Sequence, residues 1–387
     1  MEQLTLGVVS RFRKADERRL PIHPAHLDRI APDLRDRIYL ERGYGETFGV
    51  PDEQLAPRVA GLLSRSELIA RCDVVVLAKP LLEDVAELHE GQTLWGWPHC
   101  VQDAPLTQLA IDKRLNLIAF EAMNYWTDDG SFNLHVFHKN NEMAGYCSVL
   151  HALSTVGTTG DYGRRLRAVV IGFGATARGA VTALNAHGVH DVDVLTHRGV
   201  TAVAAPIHSA RIVHFERDAS RPGRAIALTA AGAVPVSAFL AEHDIVVNCV
   251  LQDTDAPLVF LDTADLGAFA PGSLIIDVSC DVAMGFSWAQ PTTFVEPTVD
   301  LGHHVHYYAV DHSPSYLWDS ATWEISEAIL PFLRPVLAGP AAWQADETIR
   351  RALEIQGGRI HNPHILSFQH RSPEYPHLQV RPVSGLV

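Results

Sequence analysis

The stretch Val169-Val170-Ile171-Gly172-Phe173-Gly174-Ala175-Thr176-Ala177-Arg178-Gly179 decides the fold. A hydrophobic run enters Gly-x-Gly-x-x-Ala and an Ala-rich segment follows, so the pattern predicts strand, tight turn and helix. Gly172 permits the turn, Gly174 lets the backbone come close to a pyrophosphate, and Ala177 is small enough for the helix to pack on the strand. The start of that helix would offer unpaired N–H groups and a partial positive charge to phosphates. The expectation is a dinucleotide-binding βαβ unit, with a glycine-rich turn in an unrelated α/β protein as the alternative.

The next run, Asp191-Val192-Asp193-Val194-Leu195-Thr196, reads as the second strand of that unit. A site for NADH usually ends this strand in Asp or Glu, about 20 residues past the glycines, to hold the ribose 2′-hydroxyl. Here Thr196, His197 and Arg198 stand there. No carboxylate repels a 2′-phosphate, and Arg198 could fork onto one, which favours NADPH over NADH. The alternative is that Arg198 is a solvated loop charge. Asp193 lies inside the strand and is a poor rival. The expected cofactor contacts are Gly172, Gly174, Ala175, Thr176, Ala177, His197 and Arg198, with Cys249, Val250 and His312 from later loops.

Outward from this unit, 387 residues are enough for two domains. Hydrophobic residues at 47% and charged residues at 20% fit an ordinary globular enzyme. A formal charge of −14 argues against nucleic acid and against an anionic membrane as partner. Substrate anions must then be captured by local positive groups. Cys72, Cys100, Cys147, Cys249 and Cys280 are scattered without Cys-x-x-Cys and read as reduced thiols. No signal-peptide core and no membrane-length run is visible, which predicts a cytoplasmic protein.

Before the glycine motif, strands are expected at 4–9, 38–41, 73–78, 94–97 and 116–120, with helices from His23-Pro24 to about Ile30 and over 66–71. Asp73 to Ala78 is a continuous apolar run of the fully buried kind. This alternation predicts a first α/β domain with a mainly parallel sheet. A long amphipathic helix over about 141–156 is the expected hinge. Later strands are expected at 245–249 and 273–278, and after Tyr307-Tyr308-Ala309-Val310 come helices at about 320–330 and 345–355. From about Arg371 the chain is Pro-rich and polar, expected to be partly loose or pinned on the surface.

Four residues sit where chemistry tends to gather. Arg19 lies in Glu17-Arg18-Arg19-Leu20-Pro21-Ile22-His23-Pro24, and Lys79 follows the buried strand. His99 follows Trp95-Gly96-Trp97-Pro98, and Asp281 follows Ile275-Ile276-Asp277-Val278-Ser279-Cys280. An arginine suits a carboxylate, a lysine at a buried strand end suits acid–base work, and a histidine carries protons near neutrality. An aspartate could accept a hydrogen bond from an amine or a ribose. Taken singly, Arg19 reads equally as a surface charge, Lys79 as a solvated strand end, His99 as a loop residue and Asp281 as a turn cap. His303, His304 and His306 lack supporting metal-ligand spacing, so no metal site is expected.

Together, in order along nearly the whole chain, these blocks resemble the alanine dehydrogenase and saccharopine dehydrogenase family. Glu17-Arg-Arg-Leu-Pro-Ile-His-Pro24, Glu41-Arg-Gly-Tyr-Gly-Glu46, Gly91-Gln-Thr-Leu-Trp-Gly-Trp-Pro-His99, Lys139-Asn-Asn-Glu-Met-Ala-Gly145 and Val310-Asp-His-Ser-Pro-Ser-Tyr-Leu-Trp-Asp319 look most like its N(5)-(1-carboxyethyl)ornithine synthase branch. Two departures set the chain apart from alanine dehydrogenases: Thr196-His197-Arg198 at the second strand's end, and His312-Ser313-Pro314 where they have Asn-Met-Pro. The resemblance implies a two-domain α/β protein. A Rossmann domain at 141–309 would bind NADPH, and a Rossmann-like substrate domain would be built from 1–140 and 310–387, with an interdomain cleft as active site. It implies an NAD(P)-dependent oxidoreductase acting on CH–NH bonds. A pyruvate-like 2-oxo acid would condense with an ornithine- or lysine-like amine, and the imine would be reduced. Arg19 would hold the oxo acid, Lys79 and His99 would move protons, and Asp281 would anchor amine or ribose. A homo-oligomer is also implied. The rivals are an alanine- or saccharopine-type dehydrogenase and a non-catalytic dinucleotide sensor.

Overall fold

The computed structural model describes residues 3–198, 209–250, 252, 257–282 and 284–380. The chain forms two compact units, Met1–Phe137 with Trp318–Val387, and His138–Leu317. Their boundaries lie at 137/138 and 317/318, against the expected 140/141 and 309/310.

In the first unit, six parallel strands are β1 (Leu6–Val8), β2 (Ile38–Glu41), β3 (Gly61–Leu63), β4 (Val74–Leu77), β5 (Thr93–Gly96) and β6 (Asn116–Ala119). They lie in the order β3-β2-β1-β4-β5-β6, and Leu353–Gln356 then Arg359–Ile360 extend the sheet beyond β6. The order reverses between β1 and β4, so the loops leaving those strands flank a crevice at their carboxyl ends. Both faces are covered, as an all-apolar strand requires. Val74 and Val76 pack into one core with Leu6, Trp95 and Ile118, while Val75 and Leu77 pack into another with Leu94 and Leu117. A small antiparallel pair, β7 (Asn124–Trp126) and β8 (Phe132–His135), follows β6.

Two local expectations are corrected. The segment opened by His23-Pro24 is a 3-10 turn over Pro24–Arg29, not an α-helix. The single helix expected at 345–355 stops at Ala352, and Leu353–Gln356 is a strand antiparallel to β6. Its backbone groups pair with a sheet edge that only tertiary structure supplies. The polar tail is pinned as far as residue 380 through Arg371. That side chain is buried and donates to Gln369, Gln108 and the carbonyls of His377 and Ala104.

The second unit carries β9 (Arg167–Ile171), β10 (Asp191–Thr196), β11 (Arg211–Arg217), β12 (Ala225–Thr229), β13 (Gly232–Pro235), β14 (Ile245–Asn248), β15 (Val259–Leu261), β16 (Leu274–Asp277), β17 (Gly285–Phe286), β18 (Thr298–Asp300) and β19 (His306–Tyr308). Its nine-stranded sheet has a parallel centre, β11-β10-β9-β14-β16-β19, edged by antiparallel β12 and β13 on one side and β18 on the other. Read from β9, this is the Rossmann order, with its reversal between β9 and β14. β15 and β17 form a separate parallel pair. The long helix, His138–Thr155, belongs to this unit and crosses the helix Ala175–Ala186 at backbone distance. A Cβ on Gly145 would stand 2.0 Å from the Thr176 carbonyl oxygen, and one on Gly179 1.8 Å from that of Glu142. Glycine on both sides is what allows the crossing.

Candidate active site

In the second unit the site grows from three strand ends tied together. Gly172 N–H donates to the Leu195 carbonyl (2.8 Å), and Cys249 N–H donates to that of Ile171 (2.9 Å). Gly172 has φ +119°, a conformation that favours glycine, and a Cβ there would press within 3.2 Å of the Cys249 carbonyl oxygen. Gly174 caps the following helix, and a Cβ there would meet nothing within 4 Å. Ala175 and Thr176 open the helix half-buried, and Ala177 is wholly buried in the core between helix and sheet. An open glycine backed by free helix N–H groups is a cradle of the size and charge a pyrophosphate needs.

At the end of β10, Thr196 is buried and its Oγ1 accepts the Arg198 N–H (3.0 Å). The turn leaves His197 and Arg198 exposed. The His197 ring leans edge-on against Phe215, centroids 5.6 Å apart. Burial, then the charges of Arg198 and Arg217, hold its pKa below the ordinary histidine value. Arg217, the last residue of β11, is a basic neighbour that the sequence reading missed. Asp193 is engaged elsewhere: it accepts from His243 (2.8 Å) and Arg211 (2.8 Å).

Beyond β14, Val250 N–H donates to Asn248 Oδ1 (3.2 Å), and the Val250 carbonyl accepts from Ser279 Oγ (2.7 Å). Buried Asn248 in turn donates to Asp277 Oδ1 (3.0 Å). Asp277, wholly buried at the end of β16, also accepts from Tyr307 (2.9 Å) and the Cys280 N–H (3.1 Å). Burial raises its pKa to about 6 against those hydrogen bonds, and the charge of nearby Asp281 adds to the rise. Asp281 itself is half-buried and follows Cys280, a non-glycine residue at φ +44°. His312 is buried, with Nδ1 2.7 Å from Asp311 and its ring edge-on to Phe294.

In the first unit the candidate residues leave neighbouring strands. Lys79 follows β4, His99 follows β5, and Glu121, unforeseen from sequence, follows β6. Arg19 lies in the long segment after β1 and is 4% exposed, so it is not a surface charge. Its Nε and Nη2 fork onto Glu17 (2.8 and 2.5 Å), and its guanidinium lies 5.2 Å over the Trp97 ring. A buried guanidinium paired in this way has a fixed orientation. His99 has φ +49° and a half-exposed ring. Its N–H donates to Glu121 Oε1 (2.7 Å), and its Nδ1 is 3.9 Å from the same oxygen. Among the described residues no group of three or more His, Cys, Asp or Glu side chains is placed to hold a metal ion. No helix among them is long and apolar enough to cross a membrane.

A Rossmann sheet with a glycine cradle at its reversal point, in one chain with an α/β unit whose strand ends carry lysine and histidine, defines a pyridine-nucleotide oxidoreductase. Residues 7–144 match the alanine dehydrogenase/PNT N-terminal domain and residues 158–363 the alanine dehydrogenase/PNT C-terminal domain. The chain belongs to the alanine dehydrogenase/PNT family, and with it to the NAD(P)-dependent oxidoreductases that act on CH–NH bonds. It is 22% identical to the N(5)-(carboxyethyl)ornithine synthase of Clostridium botulinum over 81% of this chain and 89% of that one. It is 25% identical to the alanine dehydrogenase of Halomonas elongata over 84% and 86%. Among solved structures, an L-alanine dehydrogenase shares the fold with a TM-score of 0.73 at 19% identity, over 94% of this chain and 99% of that one.

Proposed function

We propose that this protein joins a 2-oxo acid to the side-chain amine of an amino acid, reduces the resulting imine with NADPH, and releases an N-carboxyalkyl amino acid. The observation that carries the choice of cofactor is the basic end of β10 and β11, where the charges of Arg198 and Arg217 both act on the His197 ring. Gly172, Gly174, Ala175, Thr176 and Ala177 would hold the pyrophosphate, with Cys249, Val250 and His312 as further contacts and Asp281 toward the ribose or the amine. When bound, the nicotinamide supplies the hydride.

The residues of the first unit account for the rest. Arg19, held in place by Glu17, binds the oxo acid carboxylate. Lys79 and His99 move protons. The amine nitrogen attacks the C2 carbonyl carbon, one of its protons passes to the base, and the carbonyl oxygen takes one from the acid. That hydroxyl then leaves as water with a second proton while the nitrogen gives up its remaining proton, so a C=N bond replaces C=O. A hydride from the bound cofactor would add at that carbon and a proton to nitrogen, giving the secondary amine. Holding both reactants in register can supply several kcal/mol of barrier lowering.

The test is NADPH oxidation scanned across pairs of 2-oxo acids and amines, with mass detection of products. Pyruvate with ornithine or lysine should give the fastest turnover and a product heavier than either partner. An alanine-type reaction is the second reading, favoured by the 25% identity to the Halomonas elongata enzyme. Alanine formed from pyruvate and ammonia faster than any amino acid adduct would establish it and sink the first.

A further inference from the structure

The polar tail lies past residue 363, where the match to the family's C-terminal domain ends, and the mechanism above does not use it. It nevertheless reaches the loop that carries His99. His99 is not glycine, yet it has φ +49°, and such a backbone persists only where its surroundings over-determine it. The His99 carbonyl accepts the N–H groups of Gln102 (3.1 Å) and Asp103 (3.0 Å), which closes a tight turn. The next two carbonyls of that turn are held by the tail. Gln369, buried just after the helix Pro363–Phe368, donates from Nε2 to the carbonyls of Cys100 (2.7 Å) and Val101 (3.2 Å). Thr107 Oγ1, wholly buried, donates to the same Cys100 carbonyl (2.8 Å) and lies 3.3 Å from the Gln369 amide nitrogen.

We propose that Gln369 is a positioning residue for His99: the C-terminal segment is a strap whose amide grips the Cys100 and Val101 carbonyls and so keeps His99 in its left-handed conformation. This rests on the reading of His99 as a proton carrier. The strap is itself rigid. Gln369 Oε1 accepts from Arg371 Nε (2.6 Å), so both ends of the amide are committed and its orientation is set. Arg371 is anchored in turn by Gln108, Ala104 and His377. The buried His377 ring accepts the Ile360 N–H on Nε2 (3.0 Å), which leaves Nδ1 to donate to the Ser372 carbonyl (3.0 Å). A bridge between Arg371 and Gln379 closes the segment on itself. A buried polar network with its members satisfied holds one geometry. The His99 backbone is thus fixed from two directions, by Glu121 on its own N–H and by Gln369 on the two carbonyls that follow.

The experiment compares the full-length protein with Gln369→Glu and Gln369→Met. Glutamate keeps the size of the side chain and an oxygen for Arg371, but its ionised carboxylate has no N–H to give the two carbonyls, and methionine removes both ends. In each variant, hydrogen exchange at the Gln102 and Asp103 amides should quicken roughly tenfold or more, while that in β4 and β6 holds. Turnover should show kcat lowered about tenfold, with the KM for the oxo acid and the NADPH Kd unchanged. Unchanged exchange at Gln102 and Asp103 overturns the proposal, whatever the substrates are. Exchange that rises equally in β4 and β6 reports a general loss of stability and overturns it as well. A loosened turn with kcat intact overturns it where His99→Ala loses turnover. Where His99→Ala also keeps turnover, the loosened turn upholds the strap and the reading of His99 as a proton carrier is what fails. The wild-type protein supplies a measurement that no variant's folding affects: its Gln102 and Asp103 amides should be protected from exchange, and unprotected amides overturn the proposal.

Discussion

Arg198→Ala tests the choice of cofactor most directly. In the proposed site Arg198 faces the 2′-phosphate, the one group that distinguishes NADPH from NADH. A hydrogen bond to a charged partner contributes about 1.5–3 kcal/mol when sheltered. Arg198 is exposed, so solvent screening reduces this to about 1–2 kcal/mol. The NADPH Kd should therefore rise ~5–30-fold, while that for NADH barely moves. Nicotinamide fluorescence titration of both cofactors reads the two constants, and the preference for NADPH should shrink as salt is added. His197 supplies a second check. Its pKa lies below the ordinary value because of burial and then the charges of Arg198 and Arg217. NADPH affinity should thus rise relative to NADH as pH falls through that pKa, when the ring gains a charge. Removing Arg198 removes one cause of the depression and should move the rise to higher pH. Equal weakening of both cofactors by Arg198→Ala would refute the reasoning.

Three further outcomes are expected. His99→Ala should lower kcat by about 100-fold or more with NADPH binding intact, and near wild-type turnover would remove His99 from the acid–base role. Gly179→Ala sets a Cβ 1.8 Å from the Glu142 carbonyl oxygen, so the two helices must separate; thermal melts should show a loss of about 2–3 kcal/mol or no folded protein. The third is Asp277→Asn, read by denaturant unfolding at several pH values. The folded-state pKa of Asp277, about 6, lies above its ordinary 3.8, so the protonated form is the one the fold favours. Its contribution, on the order of 3 kcal/mol, is present below the ordinary value and lost as pH rises through about 6. Asp277→Asn should flatten that decline, and an unchanged slope would show that Asp277 is not its source.

Features written in consecutive residues were legible in the sequence. The glycine turn, the wholly apolar β4, the apolar run Leu274 to Ile276 that opens β16, and the basic end of β10 each occupy a few neighbouring positions and follow local rules. Lys79 and His99 stood out because they terminate recognisable strands. The missed residues are defined by distant partners. Glu17 reads as one more charge in a charged loop until Arg19 is seen buried over Trp97. Glu121 has its meaning from the backbone N–H of His99, and Arg217 from His197 on a neighbouring strand. Gly179 stood in the opening motif with no local sign that Glu142 presses on it. The segment 345–355 reads as one helix because nothing within it announces the sheet edge that captures its second half.

That captured half governs how the first unit is assembled. The seam beside β6 is closed by residues that come after the whole second unit in the chain. Until they emerge from the ribosome, β6 presents a bare row of amide and carbonyl groups, open to pairing with any stray strand. The second unit is contiguous and waits for nothing, so it matures while the first is still incomplete. A protein cut short before Leu353 would keep its nucleotide cradle and carry a sticky sheet edge, a recipe for aggregates that still bind cofactor.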